Sequence, residues 1–424
     1  MFSLSRVLKT KEIRNSMLFI LGMLVLFRVA AHIPVPGVDP DALVSLFQGN
    51  QFFGLLNIFS GGTLENFSVV ALGLAPYITS SIIFQLLAMI IPKFEEMQKE
   101  EQGRQKINQW SRLATVPLAL LQGYGLVLLF EQQSGTTLFE AGSAGMLVTL
   151  LIMGSMTAGT IFLMWIGELI SEKNMGNGIS ILIMAGIIAG LPGFLGNSIA
   201  LYDGSQLITA ILFVVLVILT LVGVVVMHEA QRNIPVQYAR QMRGSRLAGA
   251  VGSNLPLRLN MAGVIPIIFA ISIILFPSVI AQFFLNARTP AFRIAAEWVL
   301  QVFQNQLFYG LAYFGLVFAF TFFYTSVIFH PDRVAENLQK QGGFIPGIRP
   351  GKPTAEYIGW VTNRILLAGA FFLSAIAILP LVAQQMTGNA SLVIGGTSVL
   401  IVVNVVIETM KQLEAQMAMR EYEM

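Results

Sequence analysis

Ten times along this chain an apolar run of 15 to 25 residues recurs, at 17–31, 68–91, 113–130, 146–170, 179–195, 207–227, 261–285, 307–329, 358–382 and 392–410. A helix rising 1.5 Å per residue needs roughly 20 residues to cross ~30 Å of hydrocarbon, so the repetition commits the chain to a bilayer. Only 11% of the 424 residues are charged, against about a quarter in soluble domains. In lipid every backbone polar group must be paired within the protein, and runs of this length satisfy that only as helices. The fold class expected is an all-α polytopic membrane protein with ten transmembrane helices.

One apolar piece does not fit the series. Residues 52–59 are too few to cross and stop at Ser60-Gly61-Gly62, so they enter the membrane and turn back. The run that follows, 68–91, is interrupted by Pro76. Backbone that re-enters is tolerated only where protein or a water-filled cavity surrounds it. A half-segment leading into a Pro-broken helix therefore suggests a pathway with something lodged in it.

An even count of spans puts both termini on one side, and basic residues choose the side. With the N-terminus inside, the inner segments 1–16, 92–112, 171–178, 228–260, 330–357 and 411–424 hold 21 of the 25 Lys and Arg. Residues 1–16 form a basic amphipathic start with Phe2, Leu4, Val7 and Leu8 as its apolar face. No clear small-residue cleavage site follows, so the first run reads as an uncleaved span. Arg28, Arg364 and Glu408 lie toward span ends, and by this count no ionisable group falls at a midplane, which weighs against a proton- or ion-coupled pump. The inner loops 228–260 and 330–357 are longer than connectors need to be, and Gly and Pro make the tip of the second an ordered turn. Both are expected to dock a cytosolic partner, through Arg240, Arg243, Arg246, Arg349 and Lys352.

The two halves of the chain resemble each other. Ala71-Leu72-Gly73-Leu74-Ala75-Pro76-Tyr77-Ile78 matches Met261-Ala262-Gly263-Val264-Ile265-Pro266-Ile267-Ile268, with Gly three residues before Pro and Ile two after it. Gly178-Ile179-Ser180-Ile181-Leu182-Ile183 matches Gly396-Thr397-Ser398-Val399-Leu400-Ile401. Each pair lies five spans apart, an odd number, so the partners run in opposite directions. The halves, 17–195 and 196–410, then form an inverted repeat, an arrangement that places the working site at their interface beside interrupted helices. Aligning the matches selects Ile78, Ile268, Ile183 and Ile401, and Ile82 joins the face of Ile78 one turn on. A ring of branched apolar side chains offers water and ions no partner and closes by dewetting.

At these residues the sequence resembles the SecY/Sec61-alpha family, the central subunits of protein-translocation channels. The matching stretches include FRVAAHIPVPGVD, NIFSGGTLENFSVVALGLAPYITSSIIFQLL, LPLRLNMAGVIPIIFAISIILFP, GGFIPGIRPGKPTAEYI and GGTSVLIVVNVVIE, spread over nearly the whole chain. The resemblance implies an hourglass pore whose ring corresponds to Ile78, Ile82, Ile183, Ile268 and Ile401. It implies a plug within about 52–66, at Leu56, Asn57, Ile58, Phe59, Ser60, Gly61, Gly62 and Thr63. It implies a lateral gate between spans two and three and spans seven and eight, with Gln85, Gln122 and Asn260 as its polar groups. Arg349 and Arg246 match basic partner-contacting positions, whereas Ser245 departs from the pattern. The partners implied are the SecE and SecG subunits, the SecA motor ATPase, the ribosome with its RNA, signal peptides and unfolded polypeptides, membrane lipids, and at the margin YidC and SecDF. The location implied is the bacterial cytoplasmic membrane, with a short cytosolic tail at 411–424.

The function expected is thus a passive protein-conducting channel that needs no cofactor and takes its energy from partners. A secondary transporter of a small solute is the alternative, since inverted repeats also build those. Catalysis finds little support. His32, His228 and His330 are scattered, with no H-E-x-x-H, and no G-x-S-x-G occurs. The tip Gly347-Ile348-Arg349-Pro350-Gly351-Lys352-Pro353 is one residue short of a phosphate loop, and Pro353 stands where a magnesium-binding hydroxyl belongs. Cysteine is absent, which removes thiolate chemistry and disulfides.

Overall fold

The computed structural model describes residues 11–35, 63–64, 67–134, 145–200, 207–238, 242–243, 246–247, 252–285, 289–387 and 391–421. Within them the N-terminal half contributes α1 (Lys11–Ala31), α2 (Ala75–Ile90), α3 (Pro92–Lys99), α4 (Glu101–Ser134), α5 (Gly145–Ser171) and α6 (Gly178–Ala200). The C-terminal half contributes α7 (Leu207–Glu229), α8 (Ile265–Leu285), α9 (Pro290–Gln304), α10 (Gln306–Ile328), α11 (Pro331–Lys340), α12 (Lys352–Thr387) and α13 (Ser391–Glu421). Each of the ten apolar runs supplies one of these helices. Among the described residues five helices are long and apolar enough to cross a membrane alone, and up to six if α2 and α3, bent by 108° at their break, count as one span.

The second run differs from expectation. Pro76 does not interrupt a helix; it sits in the first turn of one. Residues 69–74 are consecutive turns, Gly73 takes φ +57°, and α2 begins at Ala75. The reason is local. Proline's fixed φ suits a helix start, and its missing N–H is one that the first turn leaves unpaired anyway. The seventh run repeats this layout: Gly263 takes φ +65°, and α8 begins at Ile265 with Pro266 in its first turn. Only glycine adopts such φ values at no steric cost.

Packing carries the likeness further. Gly159 on α5 lies so close to the turn before α2 that a Cβ there would stand 2.1 Å from the Val69 carbonyl oxygen. Gly369 on α12 lies against the turn before α8, where a Cβ would stand 2.6 Å from the Leu259 carbonyl oxygen. Val69 and Leu259 each precede the positive-φ glycine by four residues, so two equivalent glycines seat two equivalent turns. The helix neighbours correspond as well. α2 packs on α4, α4 on α5 and α5 on α6; likewise α8 packs on α10, α10 on α12 and α12 on α13.

Strands were not part of the all-helical expectation. The 228–260 loop folds as β1 (Gln231–Tyr238), β2 (Met242–Arg243), β3 (Arg246–Leu247) and β4 (Gly252–Arg258), and β5 (Gly343–Phe344) comes from the next long loop. β4, β1 and β5 form one antiparallel sheet in that order. Ile234 and Val236 alternate inward with Leu257 and pack on Leu338, Ile345 and Ile358. A period of two over so few residues is easily lost between long helical runs. This small core locks the two long loops together.

Contacts tie the helix ends together at both ends of the bundle. Lys411 bridges Glu229 at 2.9 Å, and Gln416 donates to the Asn174 carbonyl at 2.6 Å. At the other end Val35 N–H donates to the Phe67 carbonyl, and Val69 N–H to that of Ile33. The residues after Met410 are no loose tail: α13 continues to Glu421, and Leu413 packs with Ile13 and Met175.

Candidate functional site

The largest buried cluster lies where the halves meet, and all five selected isoleucines belong to it. Ile78 and Ile82 of α2, Ile183 of α6, Ile268 of α8 and Ile401 of α13 are each at most 4% exposed. Ile78 reaches the cluster from the first turn of α2, its N–H donating to the Leu74 carbonyl at 3.0 Å. Ile268 arrives in the same way, bonded to the Val264 carbonyl at 3.3 Å. The glycine turns thus start two helices inside the protein and deliver two isoleucines to one place.

Below the cluster, α8 packs against both α2 and α4. Beside the seam lies a cavity of about 470 Å³ between α2, α3, α4, α10 and α11. Gln85, Arg104, Asn108, Tyr324 and Arg333 are among its lining residues. Gln85 donates to Ser81 Oγ at 3.1 Å, while its Oε1 is buried with no hydrogen-bond partner among the described residues. Leaving such an acceptor unpaired costs about 1–3 kcal/mol, so the seam holds an acceptor that gains by meeting a donor. Gln122 is half-buried on α4.

Asn260, the third expected gate group, makes its hydrogen bonds at the turn before α8. Its Oδ1 accepts from Gly263 N–H at 3.0 Å, its Nδ2 donates to the Gly263 carbonyl at 3.3 Å, and it meets His228 Nε2 at 3.4 Å. Its hydrogen bonds therefore hold the turn before α8 against the end of α7, not a partner across the α2–α8 seam. An Asn side chain that bonds backbone three residues on is a turn former by chemistry.

Of the plug expectation, residues 56–62 lie outside the described residues. Thr63 is fully buried, its hydroxyl donating to the Val70 carbonyl at 2.8 Å. Leu64 and Phe67 pack with Leu72, Leu126, Ile152 and Met156 against α4 and α5. Phe67 holds φ +41°, an unusual backbone state for a bulky residue. The segment after the glycine pair is thus firmly anchored.

In the second long loop, Arg349 and Lys352 are exposed at the Gly-Pro tip, where the Arg349 carbonyl accepts from the Thr354 hydroxyl at 2.8 Å. The backbones of Arg243 and Arg246 pair across a two-residue hairpin, while Arg240 lies outside the described residues. Nearby on α11, Glu336 pairs with Lys340 at 2.8 Å; that hydrogen bond and the lysine's charge hold its carboxyl below the ordinary carboxylate range.

Two features escaped the sequence reading. Glu168, inside the fourth apolar run, forms an ion pair with Arg112 of α4, a pair that requires the helices to be packed before it is visible. The glycines Gly159 and Gly369 carried no signal, because nothing in the sequence names their neighbours.

The family model described as SecY matches residues 68–410. The chain belongs to the SecY family. Among SecY relatives, Protein translocase subunit SecY of Streptomyces coelicolor is 43% identical, covering 99% of this chain and 98% of the relative. That of Halalkalibacterium halodurans is 43% identical over 99% and 98%, and that of Mycobacterium tuberculosis 41% over 98% and 97%. Among solved structures, one describing how the SecY plug domain stabilises the closed state of the translocation channel aligns with TM-score 0.64 at 18% identity, covering 94% of this chain and 91% of that one. Sec61 in a canine ribosome–channel complex aligns with TM-score 0.61 at 17% identity, with coverage of 94% and 91%. At such identities the structures establish a shared fold, that of the SecY/Sec61 channels.

Proposed function

We propose that this chain is the protein-conducting channel of a bacterial protein translocase, built from ten spans in two inverted halves with both termini in the cytosol. The observation that carries the reading is the convergence of Ile78, Ile82, Ile183, Ile268 and Ile401 in one buried cluster between the halves. Branched apolar side chains from four helices seal against ions and yield around a chain of varying bulk. The expected lodger in the pathway is the plug at 56–63, whose Thr63 end is held fast while Gly61 and Gly62 serve as its hinge.

In this reading the basic cytosolic loops, with Arg349 at the tip, receive a ribosome or the SecA motor, and SecE and SecG complete the complex. A signal segment enters the α2–α8 seam, where Gln85 offers its unpaired oxygen. Apolar stretches leave sideways into lipid, gaining only ~0.3–0.6 kcal/mol per Leu or Ile at the centre of a span. The chain contributes a path and no covalent chemistry; the work comes from the partner or the membrane potential.

Vesicles containing this protein with SecE, SecG and SecA test the reading. Precursor protected from added protease after ATP addition is the expected result. Precursor left accessible while a small solute equilibrates would replace the channel with a transporter.

A further inference from the structure

Where α7 gives way to β1 and β4 gives way to α8, three polar side chains are buried together: His228 at 8%, Asn260 at 7% and Asn404 at 1% exposure. Asn404 lies on α13, three residues beyond Ile401 of the central cluster. Its side chain lies beside the His228 ring, yet neither polar atom of its amide completes a hydrogen bond among the described residues. Conduction through the isoleucine cluster gives His228 and Asn404 no task.

Hydrogen bonds fix the state of the ring. Gly263 presents one donor and one acceptor to Asn260: its N–H donates to Oδ1 at 3.0 Å, and its carbonyl accepts from Nδ2 at 3.3 Å. That pairing fits only one orientation of the Asn260 amide, so the atom 3.4 Å from His228 Nε2 is the amide nitrogen, with a second N–H to give. Nε2 receives it only while it carries no proton. The ring is therefore neutral, with its hydrogen on Nδ1. A proton added to Nε2 would set donor against donor. Turning the Asn260 amide over brings no relief, because N–H would then face N–H, and oxygen face oxygen, at Gly263. The protonated ring has another partner in reach, the unbonded Oδ1 of Asn404. Charges around it are mixed: Lys411 of α13 and Arg258 of β4 oppose a cation, and Glu229 on its own helix favours one. Glu408, one turn beyond Asn404, stands next to Gly263.

We propose that His228 is a positioning residue for α8. Neutral, it holds the turn that starts this helix through Asn260; protonated, it releases the turn and bonds Asn404 instead. The turn sets Ile268, whose N–H is bonded to the Val264 carbonyl, so release loosens one member of the isoleucine cluster. That consequence for the pore rests on the channel reading, whereas release of the turn does not.

Hydrogen exchange in peptides covering 260–268 reads the release directly. The full chain, assembled with its partner subunits in lipid nanodiscs, is followed from about pH 8 to about pH 5, where histidine titrates, with rates corrected for the intrinsic effect of pH. Loss of the Asn260 bonds should speed exchange at the acidic end by about tenfold. His228→Gln keeps a neutral acceptor and should stay slow throughout, while His228→Phe has none and should be fast throughout. Asn404→Leu should move the acceleration to lower pH and Asn404→Asp to higher pH, shifts that a purely structural role for Asn404 would not give. His330→Gln and Glu408→Gln should leave it in place. Nitrogen NMR of isotope-labelled histidine, assigned by difference from H228Q, should find the His228 proton on Nδ1 at about pH 8. A proton on Nε2 there, or an acceleration that survives H228Q or disappears in E408Q, would overturn the proposal. Acceleration without any rise in ion conductance would leave the role of His228 standing and count against the channel instead.

Discussion

Alanine at Gly159 adds one methyl group where the structure has no room for it. Its Cβ would stand 2.1 Å from the Val69 oxygen, 2.7 Å from the Val69 carbonyl carbon and 3.1 Å from the Val70 Cα. Ordinary contact begins near 3.4 Å, so the turn would have to retreat by more than 1 Å. All three obstacles are backbone, which cannot swing aside as a side chain does. Overpacking of a close-packed interior costs about 1–3 kcal/mol, and the upper end applies here. The displaced turn carries Val70 in the central cluster and is hydrogen-bonded to Thr63, the end of the proposed plug. Gly159→Ala should therefore lower the melting temperature of the purified protein and also raise ion conductance in planar bilayers. Gly154→Ala on the same helix, with nothing within 4 Å of its Cβ, is the control and should do neither. If the two variants melt together and stay equally tight to ions, the claim that this glycine seats the turn is wrong.

Other outcomes follow from the same geometry. Gly369→Ala meets the Leu259 oxygen at 2.6 Å and should cost about 1–2 kcal/mol, read as a smaller fall in melting temperature. Asn305 caps α10 by accepting from Leu307 and Phe308 N–H at 3.0 and 3.2 Å, so Asn305→Ala should cost about 1 kcal/mol by the same measurement. Lys411→Met loses a charged hydrogen bond to the His228 carbonyl at 2.9 Å and the bridge to Glu229; hydrogen exchange in 411–421 should quicken. Arg349→Glu should leave melting unchanged, since the side chain is exposed, yet suppress motor-driven import; normal import would remove Arg349 from the docking surface.

What the sequence revealed and what it hid separate along a physical line. Repeats of backbone chemistry were legible: Gly73 with Pro76 and Gly263 with Pro266 announced two equivalent helix starts, although their effect was misjudged. The proline read as an interruption because a long apolar run suggests one helix, whereas the positive φ three residues earlier moves the start inward. Features that depend on a neighbour across space were hidden. The bonds of Asn260 to Gly263 and His228 could not be read from the chain, because only the folded turn brings those partners near. Ile234 and Val236 gave too short an alternation to announce a sheet that needs β4 and β5 to exist.

The central claim is that a polypeptide passes between the halves at the isoleucine cluster. Cysteines placed singly at Ile78, Ile183, Ile268 and Ile401, in a chain that has none of its own, allow a direct measurement with a secretory chain stalled in transit. All four positions should crosslink to the stalled chain, while cysteines at the exposed Leu367 and Phe371 should not. Crosslinks confined to those outward positions would contradict the account.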